Sequence, residues 1–174
     1  MQRNHKCFQR GFTLTELLTA VIIVTVLVVM AAPLYEKMVE RSHLAEVRQV
    51  LNTLQTSKIF AMTQMEIDNY DTSDPKPTMD HLNLSFAETA AGATSFNTKH
   101  FLYSIKPTGT GANPNAVCAK RLHGDAAGTI FYYYRPEDPG VGGSEISTFL
   151  CLGEKCEPAY GLDDKSETVS VTCE

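Results

Sequence analysis

The amino-acid sequence predicts an α+β fold in which one long N-terminal helix packs on a small antiparallel β-sheet. Residues 17–35 carry no charge and are mostly apolar, and this run is long enough to cross a hydrocarbon core of ~30 Å at ~1.5 Å per helical residue. Apolar residues then recur at spacings of three and four between Leu44 and Met65, which is typical of an amphipathic helix. After residue 98, short segments rich in aromatic and β-branched residues alternate with Gly, Pro and Asn, which indicates strands and turns.

A basic leader at residues 1–11 precedes the apolar run. It carries Arg3, Lys6 and Arg10 without any acidic residue, and it is too short and too polar for an ordinary secretory signal. Basic residues ahead of a membrane span favour a cytoplasmic N-terminus. The C-terminal part of the chain is therefore expected on the opposite side of the membrane.

The apolar helix, which we place at residues 12–35, has one carboxylate near its start, that of Glu16. An acid inside an apolar helix is costly at mid-membrane and less so near the headgroups, where the helix dipole also favours an anion. Near the far end, Pro33 removes one backbone donor and should bend or loosen the helix. Many residues between these two are β-branched, but in lipid the backbone must satisfy its own hydrogen bonds, so helix is expected throughout.

The sequence Gly-Phe-Thr-Leu-Thr-Glu-Leu-Leu at residues 11–18, followed by an apolar segment with Pro33 near its end, resembles the start of the prepilins of type IV pili. The pseudopilins of type II secretion systems share this start, and the resemblance covers roughly residues 8–50. It implies a pilin-like fold. It also implies that a membrane aspartyl protease, the prepilin peptidase, cuts after Gly11 and N-methylates the new terminus at Phe12.

The resemblance further implies roles in assembly and processing for four more residues, Thr13, Leu14, Glu16 and Pro33. Glu16 would be the fifth residue of the mature chain, where the family keeps a glutamate. There it would pair with the protonated amine of Phe12 from another subunit. The alternative is a signal anchor that is never cleaved, in which Gly11 is only a helix boundary and Glu16 is an acid held near the membrane interface.

Five segments are expected along the chain. They are the cleaved leader at 1–11, the transmembrane and assembly helix at 12–35, an amphipathic helix at 36–69, a connecting loop at 70–97, and the sheet with its disulfide-bonded C-terminal region at 98–174. The charged residues of the amphipathic helix, Lys58 among them, are expected on the face away from the sheet.

Strands are expected at 100–106, 116–122, 129–135 and 145–152, with 169–173 as a last strand or as a tail held by its cysteine. The alternation of side chains along a strand would put Phe131 and Tyr133 on one face and Tyr132 and Tyr134 on the other. We expect one of these pairs in the core and the other on the surface.

The cysteines predict an oxidising compartment. Cys7 lies in the leader, and the other four lie in the C-terminal half, namely Cys118, Cys151, Cys156 and Cys173. An even number in an exported domain suits two disulfides, and four cysteines allow three pairings among which the sequence does not choose. We prefer the local bridge Cys151–Cys156 together with the longer bridge Cys118–Cys173.

Composition and motifs argue against several other functions. Loss of the leader takes Lys+Arg from 15 to 12 against 20 acidic residues, a side-chain charge of −8, which does not favour a nucleic-acid partner. The histidines show no metal-ligand spacing, and the acids Asp163, Asp164 and Glu167 lack the Gly-spaced pattern of a calcium loop. No nucleophile elbow or phosphate loop is present. We expect no enzyme activity, no metal and no other cofactor.

The resemblance implies a structural subunit of a type IV pilus, used for adhesion, motility or uptake. The chain would lie in the inner membrane with a single span and a periplasmic C-terminal domain, and after assembly it would be part of an extracellular filament. Its partners would be identical or related pilin subunits, the prepilin peptidase and the assembly platform of the pilus or secretion system. Two alternatives stay open: a pseudopilin of a type II secretion system, and a membrane-anchored periplasmic binding domain that does not assemble.

Overall fold

A computed structural model describes residues 11–66, 77–82, 84, 90–109, 113, 115–134, 148–167 and 169–174. The chain divides into two compact units, Met1–Met38 and Val39–Glu174. Helix α1 (Leu14–Gln64) contributes residues to both units, and the sheet lies in the second. The predicted α+β class, with a long N-terminal helix and an antiparallel sheet, is confirmed.

The described part of the first unit consists of residues 11–38, and every one of them is exposed. Helix α1 continues through Pro33 and is long and apolar enough to cross a membrane. Its polar side chains bond within the helix, since the hydroxyls of Thr19 and Thr25 donate to backbone carbonyls of the preceding turn at 2.7 and 2.8 Å. A helix that satisfies its hydrogen bonds internally and exposes apolar side chains suits lipid or other helices as its surroundings.

The second unit contains one antiparallel sheet whose five strands lie in chain order. The strands are β1 (Ser95–Asn97), β2 (Phe101–Ser104), β3 (Val117–Arg121), β4 (Ile130–Tyr134) and β5 (Thr148–Leu152). A 3-10 turn at Met79–Leu82 precedes the sheet, and a π-helical turn at Cys156–Tyr160 follows it. Strands β2 to β5 lie within the four predicted segments. Residues 169–173 are a tail held by its cysteine rather than a last strand, since Cys173 is bonded to Cys118 and Thr172 forms an isolated bridge with Thr108.

Two boundaries differ from the expectation. Strand β1 falls in the segment predicted as a loop, because three residues are too few to show a period-2 pattern. It forms through pairing, since its Phe96 lies opposite Tyr103 and their rings stack at 5.1 Å between centroids. Helix α1 ends at Gln64 rather than at 69, and Glu66 takes a φ of 58°. Residues 67–69 lie outside the described part of the chain.

The inner face of α1 packs against the sheet in the main apolar core. Val47, Leu51, Leu54 and Ala61 are buried there with Phe101, Tyr103 and Phe131. The helical residues recur at the predicted spacings of three and four, which places them on one face. Ring contacts continue across the sheet, with 6.2 Å between the centroids of Phe101 and Phe131.

The other face of the sheet is also buried, which corrects the expectation of a surface pair on β4. The side chains alternate as predicted, but Phe131 and Tyr132 are 0% and 1% exposed, and each belongs to a different apolar cluster. Val171 and Cys173 cover the face that carries Tyr132. The sequence pattern of one strand could not show that a distant segment would lie over this face.

Lys58 is wrongly predicted to lie on the outer face of α1. It is fully buried, and its Nζ donates to the carbonyls of Ile105 at 2.7 Å and Ala116 at 2.9 Å. One turn earlier, Gln55 Nε2 donates to the carbonyl of Asn115 at 2.9 Å. These carbonyls flank the connection between β2 and β3, so two polar side chains of α1 bind both ends of that connection. A buried ammonium is tolerated when its protons are bonded in this way.

Lys58→Met is expected to lower the free energy of unfolding by about 2 kcal/mol, because methionine keeps much of the volume but leaves buried carbonyls without their donor. Urea unfolding of the detergent-solubilised chain, followed by tyrosine near-ultraviolet circular dichroism, measures the change. The exposed Lys99→Met is the matched control and should leave stability within about 0.5 kcal/mol. Equal stability of the two variants would show that these bonds contribute nothing net.

Candidate processing and assembly site

The backbone around the predicted cleavage position is open to an approaching enzyme. Gly11, Phe12 and Thr13 lie ahead of α1 without regular structure, and all three are exposed, Phe12 by 88%. No atom of the described chain lies within 4 Å of the position that a Cβ on Gly11 would occupy. A peptide bond in a non-helical, uncrowded segment next to a residue without Cβ can enter a protease cleft in extended form.

The first turn of α1 is closed by a reciprocal pair of hydrogen bonds between Thr13 and Glu16. The Thr13 Oγ1 accepts from the backbone N–H of Glu16 at 3.3 Å, and the Glu16 Oε2 accepts from the backbone N–H of Thr13 at 2.9 Å. The Thr13 hydroxyl also donates to the same Oε2 at 2.7 Å. This is a capping box, in which the threonine precedes the first helical residue, Leu14.

The capping role of Glu16 is a function that the sequence analysis missed. Its signal was present, because Thr-x-x-Glu directly before an apolar run is the pattern of a capping box. Both bonds that the box gives to the carboxylate go to Oε2, and among residues 11–66 no group donates to Oε1. The acid therefore keeps one oxygen open for a donor from elsewhere.

A shallow groove begins beside Glu16 on the exposed surface of α1. It is lined by Phe12, Glu16, Leu17, Ala20, Val21, Val24 and Thr25. All belong to the first unit, and their spacing of three and four places them along one side of the helix. Small and branched residues at this spacing allow another helix to approach closely.

The structure joins the four cysteines of the second unit in two bridges. Cys118 on β3 is bonded to Cys173, with 6.0 Å between their Cα atoms. Cys151 on β5 is bonded to Cys156 at the start of the π-helical turn, with a Cα separation of 5.7 Å. These are the pairs that the sequence analysis preferred. All four side chains are buried, so each bridge lies within the packed domain.

Of the acidic residues near the C-terminus, Asp164 serves local structure. The Oδ1 of Asp164 accepts from the backbone N–H groups of Gly153 and Ser166, both at 2.9 Å, and these bonds lower the pKa of the Asp164 carboxyl. The carboxylate thus fixes the turn after β5. Among the described residues, no three His, Cys, Asp or Glu side chains lie in an arrangement that could hold a metal ion.

Comparison with known protein families gives one match, to the prokaryotic N-terminal methylation motif, over residues 7–32. No curated protein and no solved structure matches the chain significantly. The matched segment contains the Gly11–Phe12 bond, the capping box and the first part of the apolar helix. The chain therefore carries the class III N-terminal methylation signal of type IV pilins and pseudopilins.

Proposed function

We propose that this protein is a structural subunit of a type IV pilus, cleaved by prepilin peptidase after Gly11, N-methylated at Phe12 and polymerised through α1. The observation that carries the proposal is an apolar helix that is exposed from residue 14 to residue 38, is preceded by an accessible Gly11–Phe12 bond, and has in its first turn an acid with one open oxygen. The methylation signal over residues 7–32 supports the same reading.

The exposed apolar surface of α1 requires two successive environments. Large side chains such as Leu17, Val21 and Leu34 are 54% to 64% exposed, which is unfavourable in water. Lipid would cover them while the subunit is held in the inner membrane, with the second unit in the periplasm. Helices of neighbouring subunits would cover them in the filament, where packing of helix on helix replaces contact with lipid.

Glu16 sets the register between subunits in this proposal. Cleavage after Gly11 would create an amine at Phe12, and methylation would leave it protonated. The open Oε1 of Glu16 in one subunit would accept from this amine of the next. Two unpaired charges are costly in a lipid-like environment. Pairing them would reduce this cost, so the assembled filament would be favoured over separate subunits in the membrane.

The second unit would form the surface of the filament. Its two buried disulfides suit a domain that folds outside the cytoplasm. Contacts that serve adhesion, motility or uptake would then be made by residues of this unit. The prepilin peptidase and the assembly platform are the other partners that the proposal requires.

The test is intact-mass measurement with N-terminal sequencing of protein sheared from the cell surface. An abundant sheared chain that begins at methylated Phe12 would support the pilus proposal. Processed chain that stays in the membrane fraction would identify a pseudopilin or a minor subunit instead. A chain that retains residues 1–11 would overturn the proposal and leave an anchored domain.

Gly11→Val is expected to lower the rate of leader removal at least tenfold, because a branched side chain would hold the backbone away from the protease. Apart from the two chain neighbours, a Cβ at position 11 would meet no atom of the described chain within 4 Å, so a clash of the Cβ within the described chain would not explain a processing defect. The ratio of unprocessed to processed chain on immunoblots measures the effect. Normal processing of Gly11→Val would place the cleavage elsewhere.

A further inference from the structure

Two histidines from distant parts of the sequence meet in the second unit. His43 lies on α1 and His100 lies in the turn before β2, and their ring centroids are 4.4 Å apart with the planes tilted by 47°. His43 also contacts the ring of Phe101 edge-on at 6.1 Å. The His43 side chain is 16% exposed, and His100 is half-buried. This contact joins α1 to the sheet.

A cation is buried beside the two histidines. The Arg121 guanidinium lies 5.0 Å from the centre of the Phe101 ring, and its Nη2 donates to Glu40 Oε1 at 2.9 Å. The second oxygen of Glu40 accepts from the Tyr160 hydroxyl at 2.9 Å. Both carboxylate oxygens are therefore bonded. The Nε and Nη1 of Arg121 have no hydrogen-bond partner in the described part of the chain.

Besides His43 and Arg121, the charged groups that act on His100 are Lys99 and Glu46, and two tyrosines, Tyr103 and Tyr160, are buried in the apolar core with Phe101. Lys99 is its neighbour in the turn, and Glu46 on α1 lies with its Oε2 at 3.6 Å from the Nδ1 of His43. Burial raises the pKa of Tyr103, so its hydroxyl is neutral. Tyr160 is neutral for the same reason. Among the described residues, Glu46 is an acid that acts on His100 and is not bonded to Arg121.

We propose that His43, His100, Arg121, Glu40 and Glu46, here called the histidine cluster, form an acid-sensitive contact. Near neutral pH the cluster holds residues 40–47 of α1 on the sheet, and it loosens when His100 takes up a proton. A positive imidazole would face the second histidine, the buried Arg121 and Lys99, with only Glu46 to oppose the repulsion. The inference concerns the second unit alone and does not depend on the assembly proposal.

The sign of the effect follows from where His100 is more easily protonated. Burial lowers the pKa of His100, and the nearby His43, Arg121 and Lys99 lower it further, whereas Glu46 raises it. When residues 40–47 open, the imidazole enters water, where its pKa is about 6.5. The open state then binds more protons, so the contact is fully stable above about pH 6.5, weakens as pH falls through that value, and weakens no further below the lower pKa of the closed state.

Hydrogen–deuterium exchange of the full chain in detergent micelles tests the proposal. The protection of amides in 40–47, corrected for intrinsic exchange, should fall by up to about tenfold between about pH 7.5 and about pH 5.5. Glutamates, with an ordinary pKa of about 4.3, remain mostly ionised over this interval. Unchanged protection in the native sequence would overturn the proposal.

Two variants assign the effect. His100→Phe keeps a ring against His43 but cannot be protonated, and it should abolish the fall in protection. His123→Phe replaces an exposed histidine of the same unit and should leave the fall unchanged. An undiminished fall in His100→Phe would exclude His100 as its source.

If His100→Phe lowers protection at both pH values, packing has been lost, and a titration of the native chain decides instead. Nuclear magnetic resonance of the His100 Cε1–H group should give a midpoint below about 6.5. A midpoint at or above that value would contradict the proposal.

Discussion

Glu16→Gln is expected to remove the protein from the sheared filament fraction by at least tenfold while leaving leader cleavage and membrane insertion intact. The amide oxygen of glutamine can still accept from the backbone N–H and hydroxyl of Thr13, so the capping box is kept. What the variant loses is the negative charge. An uncharged side chain cannot neutralise the amine of Phe12 from another subunit, and that amine would remain unpaired among apolar helices.

The measurement is the ratio of sheared to membrane-bound processed chain, determined by immunoblot and intact mass. Glu36→Gln is the matched control, since it changes the acid at the other end of the uncharged run and should leave the ratio within about twofold. Wild-type amounts of Glu16→Gln filament would mean that Glu16 only caps the helix. Retention of the leader in Glu16→Gln would assign the acid to processing rather than to assembly.

The second large effect is expected from loss of the Cys118–Cys173 bridge. Replacing both cysteines by alanine should lower the free energy of unfolding by about 4 kcal/mol, because the bridge spans a sequence separation of 55 and its loss returns much chain entropy to the unfolded state. Replacing Cys151 and Cys156 by alanine should cost only about 2 kcal/mol, because that bridge closes a separation of 5.

Urea unfolding of the two double variants, followed by tyrosine near-ultraviolet circular dichroism, tests the order. The chain contains 7 tyrosines and no tryptophan, so the signal reports on packed tyrosines such as Tyr103 and Tyr132. Each variant removes two buried sulfur atoms, so the cavity terms are similar and the difference isolates the loop length. Equal destabilisation, or a greater effect of the short bridge, would contradict the entropic explanation.

Local sequence patterns predicted the elements that are determined by their own residues. The apolar run predicts a helix, and the repeat between Leu44 and Met65 predicts its apolar face. Four strands follow from aromatic and β-branched segments between turn residues. Strand β1 was not predicted, because its three residues are extended through pairing with β2 and their composition does not indicate a strand. The burial of Lys58 was not predicted, because its ammonium is stabilised by carbonyls that are 47 and 58 residues away in sequence.

The candidate site divides in the same way. Gly11, Thr13 and Glu16 lie within six residues, and their pattern predicted the processing of the leader. The same pattern also indicates the hydrogen bonds of the first turn, which the sequence analysis did not include. The histidine cluster could not be predicted, because tertiary packing creates its contacts. It brings His43 to His100, and it brings Glu40 to Arg121, which is 81 residues away in sequence. The sequence spacing of two residues does not indicate such a contact unless both residues lie in one helix or strand that fixes the distance between them.

The cover that Val171 and Cys173 give to the second face of the sheet has a consequence for the order in which the second unit can fold. Without residues 169–173, Tyr132 and its neighbours Ala116 and Leu152 would lack part of their apolar cover on that face. Under the proposed function the second unit would complete this core after translocation, and an oxidant of the periplasm would then take two electrons from the Cys118 and Cys173 thiols to form their disulfide. If the chain is exported as proposed, subunits interrupted during export would present an uncovered sheet to chaperones and proteases, which could remove them before assembly.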